Sequence, residues 1–210
     1  MKALLVSGGS IKDIDFLKRV GENINFIICA DGGTNYCLNA DLTPNIIIGD
    51  LDSISEDSLK IIKDKKIPII KFPVKKDNTD TELAIDYLIK KGFDDITIIG
   101  GIGSRMDHTL ANIFLLKKLK DRGVQGKILD GNNIIYLVDN ELTIKNTHRF
   151  YVSIIPITDY AIVTLDGFKY NLSEMKIGFS STLGISNEIK EDIGYVKIHK
   201  GRCLVFLSMD

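Results

Sequence analysis

Tryptophan is absent from this 210-residue chain, and cysteine, proline and excess charge of either sign are all scarce. The three cysteines, Cys29, Cys37 and Cys203, are an odd number without Cys-x-x-Cys spacing, and we interpret them as reduced thiols in a reducing compartment. The 27 basic and 28 acidic residues leave a net charge of −1. These charges are also balanced on either side of Arg122, so neither part has the basic excess that attracts nucleic acid.

Long hydrophobic runs are missing as well. Only four apolar residues follow Lys2 before Ser7, which is far shorter than the core of a secretory signal. No later segment approaches the roughly 20 apolar residues that a membrane-spanning helix needs. We therefore expect a cytoplasmic protein without a membrane partner.

The residues that are present have a globular composition, 44% hydrophobic and 26% charged, in a chain long enough for one large domain or two small ones. In its first part, β-branched runs alternate with helical patterns. We predict strands at residues 2–7, 25–30, 45–49, 67–72, 95–100 and 127–129, and helices at residues 13–21, 34–40, 56–65, 79–91 and 107–122. This βαβ order predicts an α/β fold with a mainly parallel, Rossmann-like sheet and helices on both faces.

The pattern changes after Gly131, where long helical periods end. We predict short strands at residues 134–138, 142–144, 149–155, 161–165, 195–199 and 203–208, separated by turns such as Asp166-Gly167. The sequence therefore predicts an α/β domain over residues 1–128 and a smaller C-terminal all-β sandwich or barrel domain over residues 129–210.

Aspartates follow the predicted parallel strands repeatedly. They are Asp31, Asp50, Asp52, Asp77, Asp80 and Asp107. Ligands bind beyond the carboxyl ends of such strands, so these side chains are expected at one rim of the sheet. Two carboxylates about 5 Å apart repel by roughly 3 kcal/mol at an effective dielectric near 20. A divalent cation removes that penalty, and oxygen ligands without nearby cysteine or histidine indicate Mg²⁺ or Mn²⁺.

Groups that bind phosphate accompany the aspartates. Lys75, Lys76, Arg105 and the main-chain N–H groups of residues 100–103 before a helix can hold phosphate oxygens. Together with the carboxylates they indicate chemistry on a magnesium-bound nucleotide.

Each piece alone has a simpler explanation. Asp31-Gly32-Gly33 is compatible with a turn and a helix cap, and Thr79 with Glu82 matches a capping box. The glycines within residues 100–103 are also explained by a main chain that needs a positive φ there. Lys75 is explained by a solvated loop. His108 fits the start of a helix. Only the joint arrangement carries the functional interpretation.

Four ordered motifs provide a family resemblance. They are Ala-Asp-Gly-Gly at 30–33, Gly-Asp-Leu-Asp-Ser at 49–53, Asp-Asn-Thr-Asp at 77–80 and Gly-Ser-Arg-Met-Asp-His at 103–108. In this order and spacing the chain closely resembles the thiamin pyrophosphokinase (thiamin diphosphokinase) family. The resemblance implies a nucleotide-binding catalytic domain followed by a thiamin-binding β domain, and a homodimer that shares its active sites. It also implies transfer of the pyrophosphoryl group of ATP to the thiamin hydroxyl, giving thiamin diphosphate and AMP.

Site residues follow from matching the motifs by position. The family's magnesium ligands match Asp50, Asp52 and Asp80, and its other catalytic-site residues match Asp31, Asp77, Arg105 and Asp107. We assign the nucleotide to Gly32, Gly33, Lys75, Gly101, Gly103 and His108. For thiamin the resemblance implies Ser186 and Asn187, with Tyr170 where many members place a stacking tryptophan.

Two alternatives to this activity remain open from the residues themselves. One is a magnesium-dependent nucleotide pyrophosphohydrolase, in which water replaces thiamin as the acceptor. The other is a non-catalytic nucleotide sensor. The sequence also leaves open whether Asp77 or Asp107 accepts a proton from the acceptor hydroxyl.

Overall fold

The fold is described from a computed structural model, which defines residues 1–71 and 78–210. The chain divides into two compact units, Met1–Gly131 and Asn132–Asp210. Within the described residues, no helix combines the length and the hydrophobicity that crossing a membrane requires.

The first unit alternates strands and helices, as the sequence predicts. Its elements are β1 (Lys2–Val6), α1 (Ile14–Gly21), β2 (Ile27–Ala30), α2 (Gly33–Asn39), β3 (Ile46–Ile48), α3 (Glu56–Asp64), β4 (Ile69–Ile70), α4 (Asp80–Lys90), β5 (Asp95–Ile99), α5 (Met106–Asp121) and β6 (Gln125–Leu129). The strands pair in parallel in the order β6-β5-β1-β2-β3-β4. The parallel α/β prediction is thus confirmed.

The apolar strands of this sheet lie in the core, which explains their continuous hydrophobic runs. All four residues of β2 and all three of β3 are buried. Side chains from α1, α2 and α3 pack into the same core cluster, including Leu17, Cys37 and Ile62. The helices α4 and α5 pack against each other, and α4 also contacts β1, β2 and β3.

Strand order creates a crevice beside β1. From β1 the chain adds β2, β3 and β4 on one side and then returns to place β5 on the other. Such a switch point in strand order is where open parallel sheets bind ligands.

The second unit is entirely β. Its strands are β7 (Asn133–Val138), β8 (Glu141–Lys145), β9 (Tyr151–Pro156), β10 (Tyr160–Asp166), β11 (Leu172–Gly178), β12 (Asn187–Glu188), β13 (Ile193–Lys200) and β14 (Cys203–Ser208). Antiparallel pairing gives two sheets within this unit, β12-β9-β14-β7 and β11-β10-β13-β8. Inward residues of both sheets share one core, so the predicted sandwich is confirmed.

Two strands of this unit were not predicted. Strand β11 lies at the edge of its sheet, and four of its consecutive residues, 173–176, are exposed, so it lacks an alternating apolar pattern. Strand β12 has only two residues. Strand β12 depends on pairing with the distant β9, which local sequence does not report, and β11 pairs with the preceding β10.

Candidate active site

The carboxyl ends of the parallel strands surround a cavity of about 560 Å³ in the first unit. Its walls come from the loops after β1, β2, β3 and β5 and from the first turns of α4 and α5. Of the predicted site residues, Asp31, Gly32, Asp80, Gly101, Gly103, Arg105 and His108 line it. The cavity wall is rich in glycine, so a ligand can approach its main chain closely.

Three aspartates meet at one side of this crevice. One carboxylate oxygen from each of Asp31, Asp50 and Asp52 lies within 4.8 Å of the other two. Asp31 follows β2, and the other two follow β3, which pairs directly with β2. The left-handed φ of +74° at Leu51 turns the chain between Asp50 and Asp52, and the main-chain N–H of Asp52 donates to Asp50 Oδ1 over 3.2 Å.

Asp31 is held in an unusual environment. Its φ is +43°, and a Cβ added to neighbouring Gly49 would lie 3.0 Å from the Asp31 Cβ, so glycine permits the close approach. Among residues 1–71 and 78–210, no group donates a hydrogen bond to its buried Oδ1. Burial raises the pKa of Asp31, and the charges of Asp52 and Asp80 raise it further.

This donor set fits a hard divalent cation. Clustered carboxylate oxygens are suited to Mg²⁺ or Mn²⁺, and Asp31 also has a buried oxygen without a hydrogen-bond donor among the described residues. The fourth acidic residue, Asp80, begins α4 and lines the cavity, and its charge reaches Asp31. The preceding Thr79 caps α4, because its hydroxyl accepts from the N–H of Glu82 over 3.3 Å. The predicted helix cap at Thr79 is confirmed.

Sequence reasoning missed the loop that follows β1. Residues 7–10, Ser-Gly-Gly-Ser, line the cavity, and Ser7 Oγ lies 2.6 Å from Thr81 Oγ1 in a buried contact that joins this loop to α4. A Cβ on Gly9 would lie 2.3 Å from the carbonyl oxygen of Gly100, so the loops after β1 and β5 touch through main chain alone. The glycine pair directly after a buried strand was the available signal.

The loop after β5 is braced by α5. Thr109 Oγ1 accepts from the N–H of Gly103 and donates to its carbonyl, over 3.1 and 3.2 Å. Asn112 Nδ2 donates to the carbonyl of Gly101 over 2.9 Å. Both side chains are buried on the face of α5 that packs inward. They fix the two glycines that were assigned to the nucleotide.

Arg105 and Asp107 form an exposed ion pair at the start of α5. Arg105 Nη2 and Asp107 Oδ2 are 2.6 Å apart, and Arg105 Nε lies 3.3 Å from Oδ1. The Arg105 guanidinium lowers the pKa of Asp107, and the carboxylate raises that of Arg105. Arg105 lines the cavity; among the residues that the structure describes, Asp107 is not part of its wall.

Among the described residues, Gly33 is also absent from the cavity wall. Gly33 packs under the loop, since an added Cβ would lie 2.2 Å from the carbonyl oxygen of Val6, and its role is close packing of α2 against β1. Lys75 and Asp77, together with the neighbouring Lys76, lie outside the described residues.

The thiamin residues predicted in the second unit lie together. The Asn187 side chain is buried, and its carboxamide accepts from the N–H of Tyr170 over 3.1 Å and donates to the Tyr170 carbonyl over 2.7 Å. Ser186, with a φ of +57°, precedes it, and its N–H donates to Ser153. Tyr170 is 63% exposed, and Lys169 Nζ lies 5.8 Å from the centroid of its ring. Asn187 thus positions the main chain of Tyr170 and leaves its ring accessible.

The parallel sheet, the acidic cluster and the glycine loops together define an enzyme that acts on the phosphates of a nucleotide. Comparison with known proteins specifies the family. Residues 17–128 match the family model "Thiamin pyrophosphokinase, catalytic domain", and residues 139–203 match "Thiamin pyrophosphokinase, vitamin B1 binding domain".

Individual relatives agree with these family models. The chain is 34% identical over 209 residues to thiamine pyrophosphokinase of Bacillus subtilis (strain 168), with 98% of each chain covered. The crystal structure of the Bacillus subtilis enzyme superposes with a TM-score of 0.90 at 32% identity and 100% coverage of both chains. That of thiamin pyrophosphokinase from Geobacillus thermodenitrificans gives 0.87 at 31%, covering 100% of this chain and 98% of the other. This chain belongs to the thiamin pyrophosphokinase family.

Proposed function

We propose that this chain transfers the pyrophosphoryl group of ATP to the hydroxyl of thiamin, giving thiamin diphosphate and AMP. The observation that carries the proposal is the cluster of Asp31, Asp50 and Asp52 beside a glycine-lined cavity at the sheet's carboxyl edge. Family membership supports thiamin as the acceptor, since a vitamin B1 binding domain matches the second unit.

Asp31, Asp50 and Asp52 would hold Mg²⁺. Asp31 thus takes the position that the resemblance implies for Asp80, whose charge acts on Asp31. The unpaired Oδ1 of Asp31 and the raised pKa of its carboxyl group support this assignment, because a cation stabilises the ionised form of a crowded carboxylate. When bound, the ion supplies positive charge to the phosphate oxygens as the bond to AMP breaks.

The protein's own groups then position the phosphates. Arg105 lies at the cavity wall, and the guanidinium N–H groups that Asp107 does not use can donate to phosphate oxygens. Thr109 and Asn112 of α5 hold the main chain around Gly101 and Gly103, which would keep this loop in place when the nucleotide binds. The Arg105 ion pair lowers the pKa of Asp107, which makes Asp107 a weak proton acceptor. Positioning and charge, rather than base catalysis, would therefore supply most of the rate.

In the second unit, Tyr170, Ser186 and Asn187 would bind thiamin. The exposed ring of Tyr170 can stack on a cationic or aromatic ring, and Asn187 fixes the main chain that carries it. We also propose that the chain acts in the cytoplasm as a homodimer. Its three cysteines are free and buried, as expected in a reducing compartment.

Exposed apolar side chains support the dimer. Leu183 and Ile185 are 56% and 43% exposed beside Ser186, and Leu110 and Phe114 are 51% and 48% exposed on α5. Apolar groups of this size are normally covered by a partner when they cluster. In a closed dimer, one copy would cover these groups on the other.

The direct test is to incubate the protein with Mg²⁺ and ATP, with and without thiamin, and to follow AMP and thiamin diphosphate together. We expect both products to rise in equal amounts and only when thiamin is present. AMP release without thiamin would indicate a pyrophosphohydrolase instead. Nucleotide binding without any product would indicate a sensor.

A further inference from the structure

A side chain of α2 holds the loop that follows β3 and carries two of the three clustered aspartates. Asn35 lies on α2 and uses both ends of its carboxamide on this loop. Its Nδ2 donates to the carbonyl of Ser53 over 2.9 Å, and its Oδ1 accepts from the N–H of Ser55 over 3.0 Å. One side chain thus bonds the main chain on both sides of Ile54, which is buried. The two bonds fix the direction of the carboxamide, because a rotated group would place its donors against the N–H of Ser55.

The loop segment that is bonded to Asn35 reaches the aspartates directly. Ser53 Oγ donates to Asp52 Oδ1 over 2.9 Å. Ser53 also packs against the loop after β2, since a Cβ on Gly32 would lie 3.3 Å from the Cβ of Ser53. Gly32 directly follows Asp31. Ser53 therefore contacts both loops that supply the aspartates, and Asn35 fixes its main chain.

The position of Asn35 is set by the turn that also carries Asp31. The main-chain N–H of Thr34 donates to the carbonyl of Asp31 over 2.9 Å, and that of Asn35 donates to the carbonyl of Gly32 over 3.2 Å. The paired residues of β2 and β3 end before the aspartates begin. Beyond the sheet, Asn35 thus bonds the segment that carries Asp31 to the segment that carries the other two carboxylates.

Asn35 itself is not part of the cavity wall, among the residues that the structure describes. Its contact with Ser55 also has a simpler explanation. Ser55 caps α3, because its Oγ accepts from the N–H of Ser58 over 3.2 Å. A bond to Ser55 that serves only the start of α3 would affect stability without affecting the metal site, so an experiment must separate the two roles.

Building on the proposed function, we propose that Asn35 is a positioning residue for the divalent cation: by bonding the loop after β3 to α2, it keeps Asp50 and Asp52 close to Asp31. Carboxylates repel one another when no cation is present, so a loop that is free to move adopts a wider spacing. Binding the cation must then also close the loop, and the free energy of closing it is lost from the affinity. A loop that is already held closed binds the cation more tightly.

The test measures the affinity for Mn²⁺, which takes the same oxygen ligands as Mg²⁺ and can be followed by electron paramagnetic resonance. Dissociation constants would be determined for the unaltered full chain and for Asn35→Ala, without ATP or thiamin. We expect the variant to bind Mn²⁺ at least about tenfold more weakly. Its unfolding temperature without metal should stay close to that of the unaltered protein, because alanine favours the helix. Hydrogen exchange at the N–H of Ser55 should become faster.

Asn39→Ala is the matched control, because Asn39 also lies on α2 and is exposed. This variant should leave both the affinity for Mn²⁺ and the exchange at Ser55 unchanged. Asn35→Leu, which has a similar shape, replaces Asn35→Ala if thermal unfolding shows that the alanine variant is unfolded.

Normal affinity for Mn²⁺ in the Asn35 variant would overturn the proposal and leave Asn35 with a role only at the start of α3. Equal weakening in Asn39→Ala, unfolding of both Asn35 variants, or an unaltered protein that binds no Mn²⁺ would overturn it as well. The thiamin reaction is tested separately, because ATP and thiamin are omitted here. A protein that forms no thiamin diphosphate but shows the expected effect of Asn35→Ala would contradict the proposed reaction and support the positioning role.

Discussion

Asp31 is a side chain whose ionised form is electrostatically unfavourable in the site. Its Oδ1 is buried, its backbone is left-handed, and two other carboxylates lie beside it. For an acid whose pKa is raised by folding, the folded state holds the proton more tightly than the unfolded chain. The loss of folding stability that Asp31 causes is therefore absent well below its ordinary pKa of 3.8. This loss is fully present above the raised pKa of the folded state.

The raised pKa of Asp31 predicts how Asp31→Asn changes stability. Near neutral pH and without metal, the variant should unfold at a higher temperature than the unaltered protein, because the repulsion is removed. It should also lose the rise in unfolding temperature that Mg²⁺ gives the unaltered protein. Below about pH 4 the two should converge as carboxylates become protonated. Thermal unfolding across pH, with and without Mg²⁺, measures each effect. A variant that responds normally to Mg²⁺ would exclude Asp31 from the metal site.

Asp52→Asn tests catalysis at the same cluster. Asp52 is exposed and accepts from Ser53 Oγ over 2.9 Å, a contact that the amide oxygen preserves. We expect turnover to fall by about 100-fold or more, while the unfolding temperature stays the same or rises. AMP formation at saturating Mg²⁺ and thermal unfolding check the two expectations. Unchanged magnesium-dependent AMP formation would reject the metal assignment.

At the scale of elements, the site depends on how closely α2 approaches β1. Gly33 starts α2 directly under the carbonyl of Val6, at a distance where no side chain fits. The contact involves main chain on both sides, so a flexible side chain cannot move aside.

Gly33→Ala should therefore destabilise the fold by about 2 kcal/mol or more and displace the loop that carries Asp31. Gly131→Ala is the matched control, because nothing lies within 4 Å of a Cβ there and its φ is not left-handed. Denaturant unfolding should separate the two variants. Equal free energies of unfolding for the two variants would mean that α2 can move away from β1 without loss of stability.

At the scale of the whole molecule, the proposed homodimer makes a prediction about mixing. If one active site uses the first unit of one copy and the second unit of the other, Asp52→Asn and Asn187→Ala damage different halves of each site. Unfolding and refolding the two inactive variants together should restore about a quarter of the unaltered activity, since half of the random dimers hold one intact site of two.

Each variant refolded alone is the control and should stay inactive. Light scattering on the unaltered protein should give twice the mass of one chain. A monomer, or dimers without recovered activity, would mean that each chain builds its own site.

The sequence by itself determined the order of elements and the fold class. Buried runs such as β2 and β3, and the cap at Thr79, are signals carried by neighbouring residues. The aspartate motifs, and with them the family, were equally visible. Local patterns suffice for these because strands, helices and strand-end loops are formed within short segments.

Only the tertiary structure decided which of those residues meet. The order of the strands places Asp31 beside Asp50 and Asp52. It also places the loop after β1, which the sequence analysis missed, against Gly100, and Asn112 of α5 lies in the cavity wall. It also placed Asn187 against the main chain of Tyr170. Distances between loops depend on which strands are neighbours and on how helices pack, and no pattern within one segment contains that information.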